Sequence, residues 1–224
     1  MKTAATPPLA LAKCLVFCLS LLPACLLWWD FEHNLLGSEP IEAVQGNSGR
    51  WALHFLLLAL CISPLRALTQ LHWLQRLRRM LGLFAFFYAC LHLLAFAGLN
   101  NDFSILSMLQ DIRREPMILA GLLAFVLLIP LAATSSNYAV HRLGGRRWQE
   151  LQRNIYPISI LACLHFLGQT AVADWPLPLA YSVFLGLLLW WRIQERRRKA
   201  QAESAIATPA ATTKPIQFYR QRPK

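Results

Sequence analysis

Residues 154–173 read Asn-Ile-Tyr-Pro-Ile-Ser-Ile-Leu-Ala-Cys-Leu-His-Phe-Leu-Gly-Gln-Thr-Ala-Val-Ala. The run is apolar over about the 20 residues that a helix needs to cross ~30 Å of hydrocarbon. It carries one ionisable side chain, His165, deep inside. An imidazole at that depth is costly without a partner and marks a functional site by default. Five further apolar runs flank it: Cys14–Trp29, Trp51–Leu68, Leu81–Leu99, Pro116–Ala133 and Trp175–Trp191. The pattern predicts an all-α polytopic membrane protein with six transmembrane helices. Residues 1–199 make up this helical domain, and the Ala/Thr/Pro-rich tail 200–224 is expected to be disordered and cytoplasmic.

Composition agrees. Of 224 residues, 56% are hydrophobic and 15% charged, less charge than a soluble domain of this size carries. The net charge of +11 does not point to nucleic acid, because the basic residues sit in short clusters between apolar runs rather than on one folded face. Those clusters orient the chain. With a cytoplasmic N-terminus, all 22 lysines and arginines except Arg50, Arg113 and Arg114 fall inside, as the positive-inside rule requires. Six spans then return the C-terminus to the cytoplasm. The first run, behind Lys2 and Lys13, has the look of a signal peptide, and Leu22-Pro23-Ala24-Cys25 of a lipoprotein cleavage box. With five spans following, an uncleaved helix is the simpler reading. The cysteines Cys14, Cys18, Cys25, Cys61, Cys90 and Cys163 form no C-x-x-C pair and read as small buried residues.

A second histidine, His92, lies in the third run. It stands as far beyond Leu81 as His165 stands beyond Asn154. At 1.5 Å per residue both sit ~17 Å from the cytoplasmic edge. Two neutral imidazoles at one level on parallel spans can supply both axial ligands of a haem iron. The competing reading is that each hydrogen-bonds a carbonyl or a serine across the bundle. His54 falls about one turn from this level, as an alternative ligand, a propionate partner or an interface residue, with a supporting role preferred. His33, His72 and His141 read as solvated loop residues. A proton-relay transporter using His92 and His165 is a further reading. Such a chain is expected to show an internal repeat or paired broken helices, and neither is visible in the sequence.

Several short motifs fall in a particular order: Gly49-Arg50-Trp51-Ala52-Leu53, Arg78-Arg79-Met80-Leu81-Gly82-Leu83, Leu91-His92-Leu93, Thr134-Ser135-Ser136, Leu143-Gly144, and Arg147-Trp148-Gln149-Glu150-Leu151 ahead of Tyr156 and His165. In that order, across about Leu19–Arg197, the chain resembles the MsrQ (YedZ) family, within the ferric-reductase-like transmembrane group. The resemblance implies a multi-pass protein of the bacterial inner membrane that binds haem b, with His92 and His165 at the iron-ligand positions. It also implies FMN, and electrons taken from the quinone pool or a cytoplasmic flavin reductase. They pass to a periplasmic molybdopterin partner, MsrP, that reduces methionine sulfoxide in oxidised proteins. The present chain is then an electron-transfer subunit and not itself the site of sulfoxide reduction. Direct reduction of ferric iron or quinone is the alternative. One departure concerns Gln152, which stands where the family pattern commonly has a histidine, so a second, inner bis-histidine haem is not expected. A flavin or quinone held near Arg78, Arg79 and Arg147 is the expected substitute carrier.

Overall fold

The computed structural model describes residues 9–207, and these residues are helical with short connections and no strand. Nine α-helices follow in order: α1 (Leu9–Glu32), α2 (Pro40–Thr69), α3 (Gln75–Leu94), α4 (Ile105–Arg114), α5 (Met117–Ala133), α6 (Asn137–Leu143), α7 (Gly145–Gln152), α8 (Ile155–Gln169) and α9 (Pro176–Ala207). A 3₁₀ turn at His72–Leu74 precedes α3, a π-helical turn at Ala95–Asn100 extends it, and a second 3₁₀ turn covers Val172–Asp174.

Four helical segments are long and apolar enough to cross a membrane: Ala10–Glu32, Pro40–Thr69, His72–Asn100 and Pro176–Ser204. A fifth candidate is α4 with α5, whose axes bend by 118°. Pro116 stands at that bend, ahead of the α5 helix it was expected to open. The run 154–173 is shorter as a helix than as a sequence. Thr170 is extended and ends α8 after 15 residues, ~22 Å of helix. The α5 helix, at 17 residues, spans ~25 Å.

Two connections expected as loops hold helices. Ser104 accepts the Ser107 N–H and starts α4, and Ser136 accepts the Ala139 N–H and starts α6. Both are ordinary serine N-caps. Gly144, at φ 77°, parts α6 from α7, a conformation glycine adopts without a Cβ penalty. At the other end of the chain, α9 runs through Ala200–Ala207, past the composition boundary at 199. Ala-Gln-Ala-Glu-Ser-Ala is rich in strong helix formers. Residues 208–224 of the expected tail lie outside the described residues.

The core forms around α2. Its Leu53, Phe55, Leu56, Ala59 and Leu60 are buried against Leu81, Phe84, Ala85 and Tyr88 of α3, Ile158 and Cys163 of α8, and Leu185 and Leu188 of α9. Ala59 and Ala85 are fully buried, and small side chains let membrane helices approach closely. Phe55 stacks on Tyr88 at 5.3 Å. The outside is apolar: Leu11, Leu15, Leu26, Leu122, Val183 and Leu187 are all exposed. Such a surface suits lipid rather than water. The chain is a multi-pass membrane protein.

Candidate haem site

His92 ends α3 and His165 lies near the end of α8. The fold brings these two residues together: their ring centroids are 5.9 Å apart and their planes cross at 77°. Both side chains are half-buried. Each ring is held from behind by a main-chain carbonyl on the antiparallel neighbour. His92 Nδ1–H donates to Gln45 O of α2 at 2.9 Å, and His165 Nδ1–H donates to Met117 O of α5 at 2.8 Å. A carbonyl can only accept, so each neutral ring carries its proton on Nδ1 and keeps the Nε2 lone pair free. The side chain of Gln45 is also engaged, accepting from Asn100 Nδ2 in the π-helical turn just beyond His92. Widened helical turns of this kind recur at functional sites.

The pair fits a haem iron. Two metal–nitrogen bonds of about 2 Å, with about 1 Å from each nitrogen to its ring centre, would allow two imidazole centroids ~6 Å apart to share one metal. Outer hydrogen bonds from Nδ1 to a carbonyl are the usual support for a metal-bound imidazole. Two imidazoles are too few to hold a bare ion, and no group of three or more His, Cys, Asp or Glu side chains gathers among the described residues. A porphyrin supplies the four missing equatorial nitrogens itself.

The other histidines stand apart from the pair. His54 Nε2 meets Tyr181 Oη, its ring packs edge-on to Trp51, and its Nδ1 is buried without a hydrogen-bond partner. His33 stacks on Trp29. His72 and His141 are exposed. The six cysteines are unpaired.

The opposite end of the bundle holds a cavity of about 870 Å³ lined by Lys13, Arg76, Arg78, Arg79, Arg153 and Arg196 among others. Arg147, expected beside Arg78 and Arg79, does not line it; Arg153 and Arg196 do. Gln152 also faces this cavity, and its amide donates to Leu131 O at 3.1 Å and Thr134 Oγ1 at 3.3 Å. Trp148 Nε1 donates to Thr134 O at 2.9 Å. Both side chains close the end of α5, where the last carbonyls lack helical partners. Beside the cavity, Arg192 on α9 is buried. Its guanidinium donates to Tyr156 Oη at 2.9 Å, Leu60 O at 2.6 Å and Ser63 Oγ at 3.1 Å.

Sequence reasoning singled out His92 and His165, which the fold brings together, but missed the carbonyls of Gln45 and Met117, because main-chain acceptors have no residue signature. It also counted Arg192 among the cytoplasmic cations, although it is only 9% exposed. Pro64 was the available signal. A proline inside α2 leaves the carbonyl four residues earlier, Leu60 O, without its helical N–H, so a donor from another helix is needed.

Residues 48–163 match the family described as ferric reductase like transmembrane component. A protein of Azospira oryzae is 43% identical over 215 residues, covering 95% of this chain and 91% of its own length. One from Herminiimonas arsenicoxydans is 45% identical over 202 residues, covering 90% and 93%. Another from Rhodospirillum rubrum is 43% identical over 199 residues, covering 87% and 94%. Each is named protein-methionine-sulfoxide reductase heme-binding subunit MsrQ.

Proposed function

Because the chain belongs to the MsrQ family of ferric-reductase-like membrane proteins, we propose that it is a b-type haem electron-transfer subunit with His92 and His165 as the axial iron ligands. The observation that carries the ligand assignment is the 5.9 Å pairing of two imidazoles whose Nδ1 atoms are already committed to carbonyls. A haem held there by His92 and His165 would supply a one-electron carrier. The protein's own part is to hold both rings in one tautomer and to surround them with apolar helices that keep water away.

The same reading orders the rest. Six spans with both termini in the cytoplasm place the histidine level in the outer half of the bacterial inner membrane and the arginine-lined cavity on the inner side. Distribution of the basic residues supports this orientation. The periplasmic molybdopterin reductase MsrP receives the electrons and reduces methionine sulfoxide in oxidised proteins. Electrons enter from the quinone pool or a cytoplasmic flavin reductase. The cavity is wide and basic enough for the phosphate of FMN, with Arg78 and Arg79 on its wall. Direct reduction of ferric iron or quinone is the second reading, and the ferric-reductase-like match over residues 48–163 favours it over any transporter.

An absorption spectrum of the detergent-purified chain, before and after dithionite, tests the proposal. A b-type Soret and α band is expected, lost in both His92→Ala and His165→Ala. Full retention in either variant overturns the pairing.

A further inference from the structure

The two imidazoles are held by one device used twice. In α2, Gln45 O accepts His92 Nδ1–H, and four residues on comes Gly49. In α5, Met117 O accepts His165 Nδ1–H, and four residues on comes Gly121. Each carbonyl lies nearly the same distance back along the chain from its histidine, 47 residues in one case and 48 in the other. The glycines lie against the rings. A Cβ at Gly49 would stand 2.9 Å from His92 Nδ1 and 3.0 Å from its Cε1; one at Gly121 would stand 2.8 Å from His165 Nδ1 and 2.9 Å from its Cε1.

The spacing of four has a physical reason. In an α-helix the carbonyl of residue i accepts the N–H of residue i+4. Every Cα–Cβ bond tilts toward the helix N-terminus, so the side chain at i+4 leans over that carbonyl and covers its second lone pair. Glycine leaves the lone pair open, and an imidazole N–H on a neighbouring helix can reach it. The two helix pairs, α2 with α3 and α5 with α8, therefore repeat one arrangement on either side of the ring pair. A parallel repeat about an axis along the bundle is a known membrane architecture. Around Gly49 the chain reads Asn-Ser-Gly-Arg-Trp and around Gly121 Leu-Ala-Gly-Leu-Leu. Apart from the glycine the two share nothing, so composition and pattern could not reveal the repeat.

We propose that Gly49 and Gly121 are a matched pair of positioning residues that fix the tautomer and the crossed ring planes of His92 and His165, and through them the reduction potential of the haem. This rests on the haem reading given above. The Nδ1–H···O=C bond makes an imidazole a stronger donor to the metal, which favours the ferric state. Alanine at either glycine pushes the ring off its carbonyl and weakens that preference.

The test uses the full-length holoprotein. The wild-type ferric protein is expected to give the strongly anisotropic low-spin EPR signal of near-perpendicular imidazole planes. Gly49→Ala and Gly121→Ala are each expected to alter that signal and raise the midpoint potential. A tenfold loss of ferric preference, the lower end of the usual cost of removing an outer-sphere partner, equals ~59 mV for one electron. Gly186→Ala, where an added Cβ meets nothing within 4 Å, is expected to change neither. Unchanged EPR and potential in both test variants overturn the proposal, and so does a wild-type signal typical of parallel planes. If an alanine variant does not fold, by circular dichroism, the wild-type signal decides. A chain that binds no haem at all refutes the haem reading instead, whereas haem bound with unshifted potentials refutes this inference alone.

Discussion

Arg192 and Pro64 form a pair that a double-mutant cycle can isolate. Pro64 deprives Leu60 O of its helical donor, and Arg192 supplies a substitute at 2.6 Å while also holding Tyr156 Oη and Ser63 Oγ. Replacing Arg192 with Met removes hydrogen bonds from a charged donor, worth ~1.5–3 kcal/mol each. Part of this is offset, because the buried guanidinium, whose Nε has no partner, no longer has to be kept from water. A net loss of about 2–4 kcal/mol is expected. Pro64→Ala restores an N–H aimed at Leu60 O. In the Arg192→Met background that bond relieves a stranded carbonyl, worth about 1–2 kcal/mol beyond whatever the same change does in the wild type. The intrinsic effect of proline on the helix cancels in the cycle. Unfolding in mixed micelles of increasing SDS fraction, followed by tryptophan fluorescence, gives all four free energies. A coupling indistinguishable from zero would mean that Arg192 does not replace the missing N–H, and the account of its burial fails.

Other consequences are checked more briefly. Tyr88 Oη donates to Ser20 O at 2.8 Å and accepts from Ala24 N–H at 3.0 Å, bridging α1 beside Pro23. Tyr88→Phe is expected to loosen α1 by about 1–2 kcal/mol, seen as roughly tenfold faster hydrogen exchange at the Ala24 amide; unchanged exchange counts against the bridge. His54→Ala is expected to keep its full haem complement, because His54 bonds Tyr181 rather than the paired rings; loss of haem would make it a ligand. Arg78→Gln with Arg79→Gln is expected to weaken FMN binding at least tenfold by fluorescence quenching while leaving the haem spectrum intact. Unaltered affinity removes the cavity from consideration as the flavin site.

Much of this was legible in the sequence, and the gaps have physical causes. Apolar runs located the long helices because membrane segments must satisfy their own backbone and face lipid. They overstated the run 154–173, since hydropathy does not register that Thr170 turns extended. Serine caps for α4 and α6 were present but sat in stretches polar enough to read as loops. Helical rise alone put His92 and His165 at one level. Their mutual approach, and the carbonyls behind them, depend on how α2 and α5 pack, which no local pattern encodes. Pro64 shows the reverse case: a local signal was readable, yet its partner Arg192 lies far along the chain.

The ring pair and the basic cavity occupy two levels of the same two helices, and what lies between them bears on whether electrons or protons pass. On α3 the cavity is lined by Gly82 and the ring is His92; on α8 the corresponding residues are Tyr156 and His165. These offsets amount to ~15 and ~14 Å of helix. A proton relay would need hydrogen-bonding groups free to pass a proton along that length. The intervening segments offer Tyr88, whose hydroxyl is tied to Ser20 and Ala24, and Ser159, whose hydroxyl donates to Ile155 O. The remaining residues are apolar, proline or cysteine. On α2, His54 Nε2 meets Tyr181 Oη, and its Nδ1 has no hydrogen-bond partner. An electron needs no such chain of groups, so these two segments suit electron transfer better than proton transfer. Proteoliposomes containing the chain are therefore expected to dissipate an imposed pH gradient no faster than empty vesicles. A proton leak abolished by His92→Ala would reverse the assignment and make the two histidines a relay.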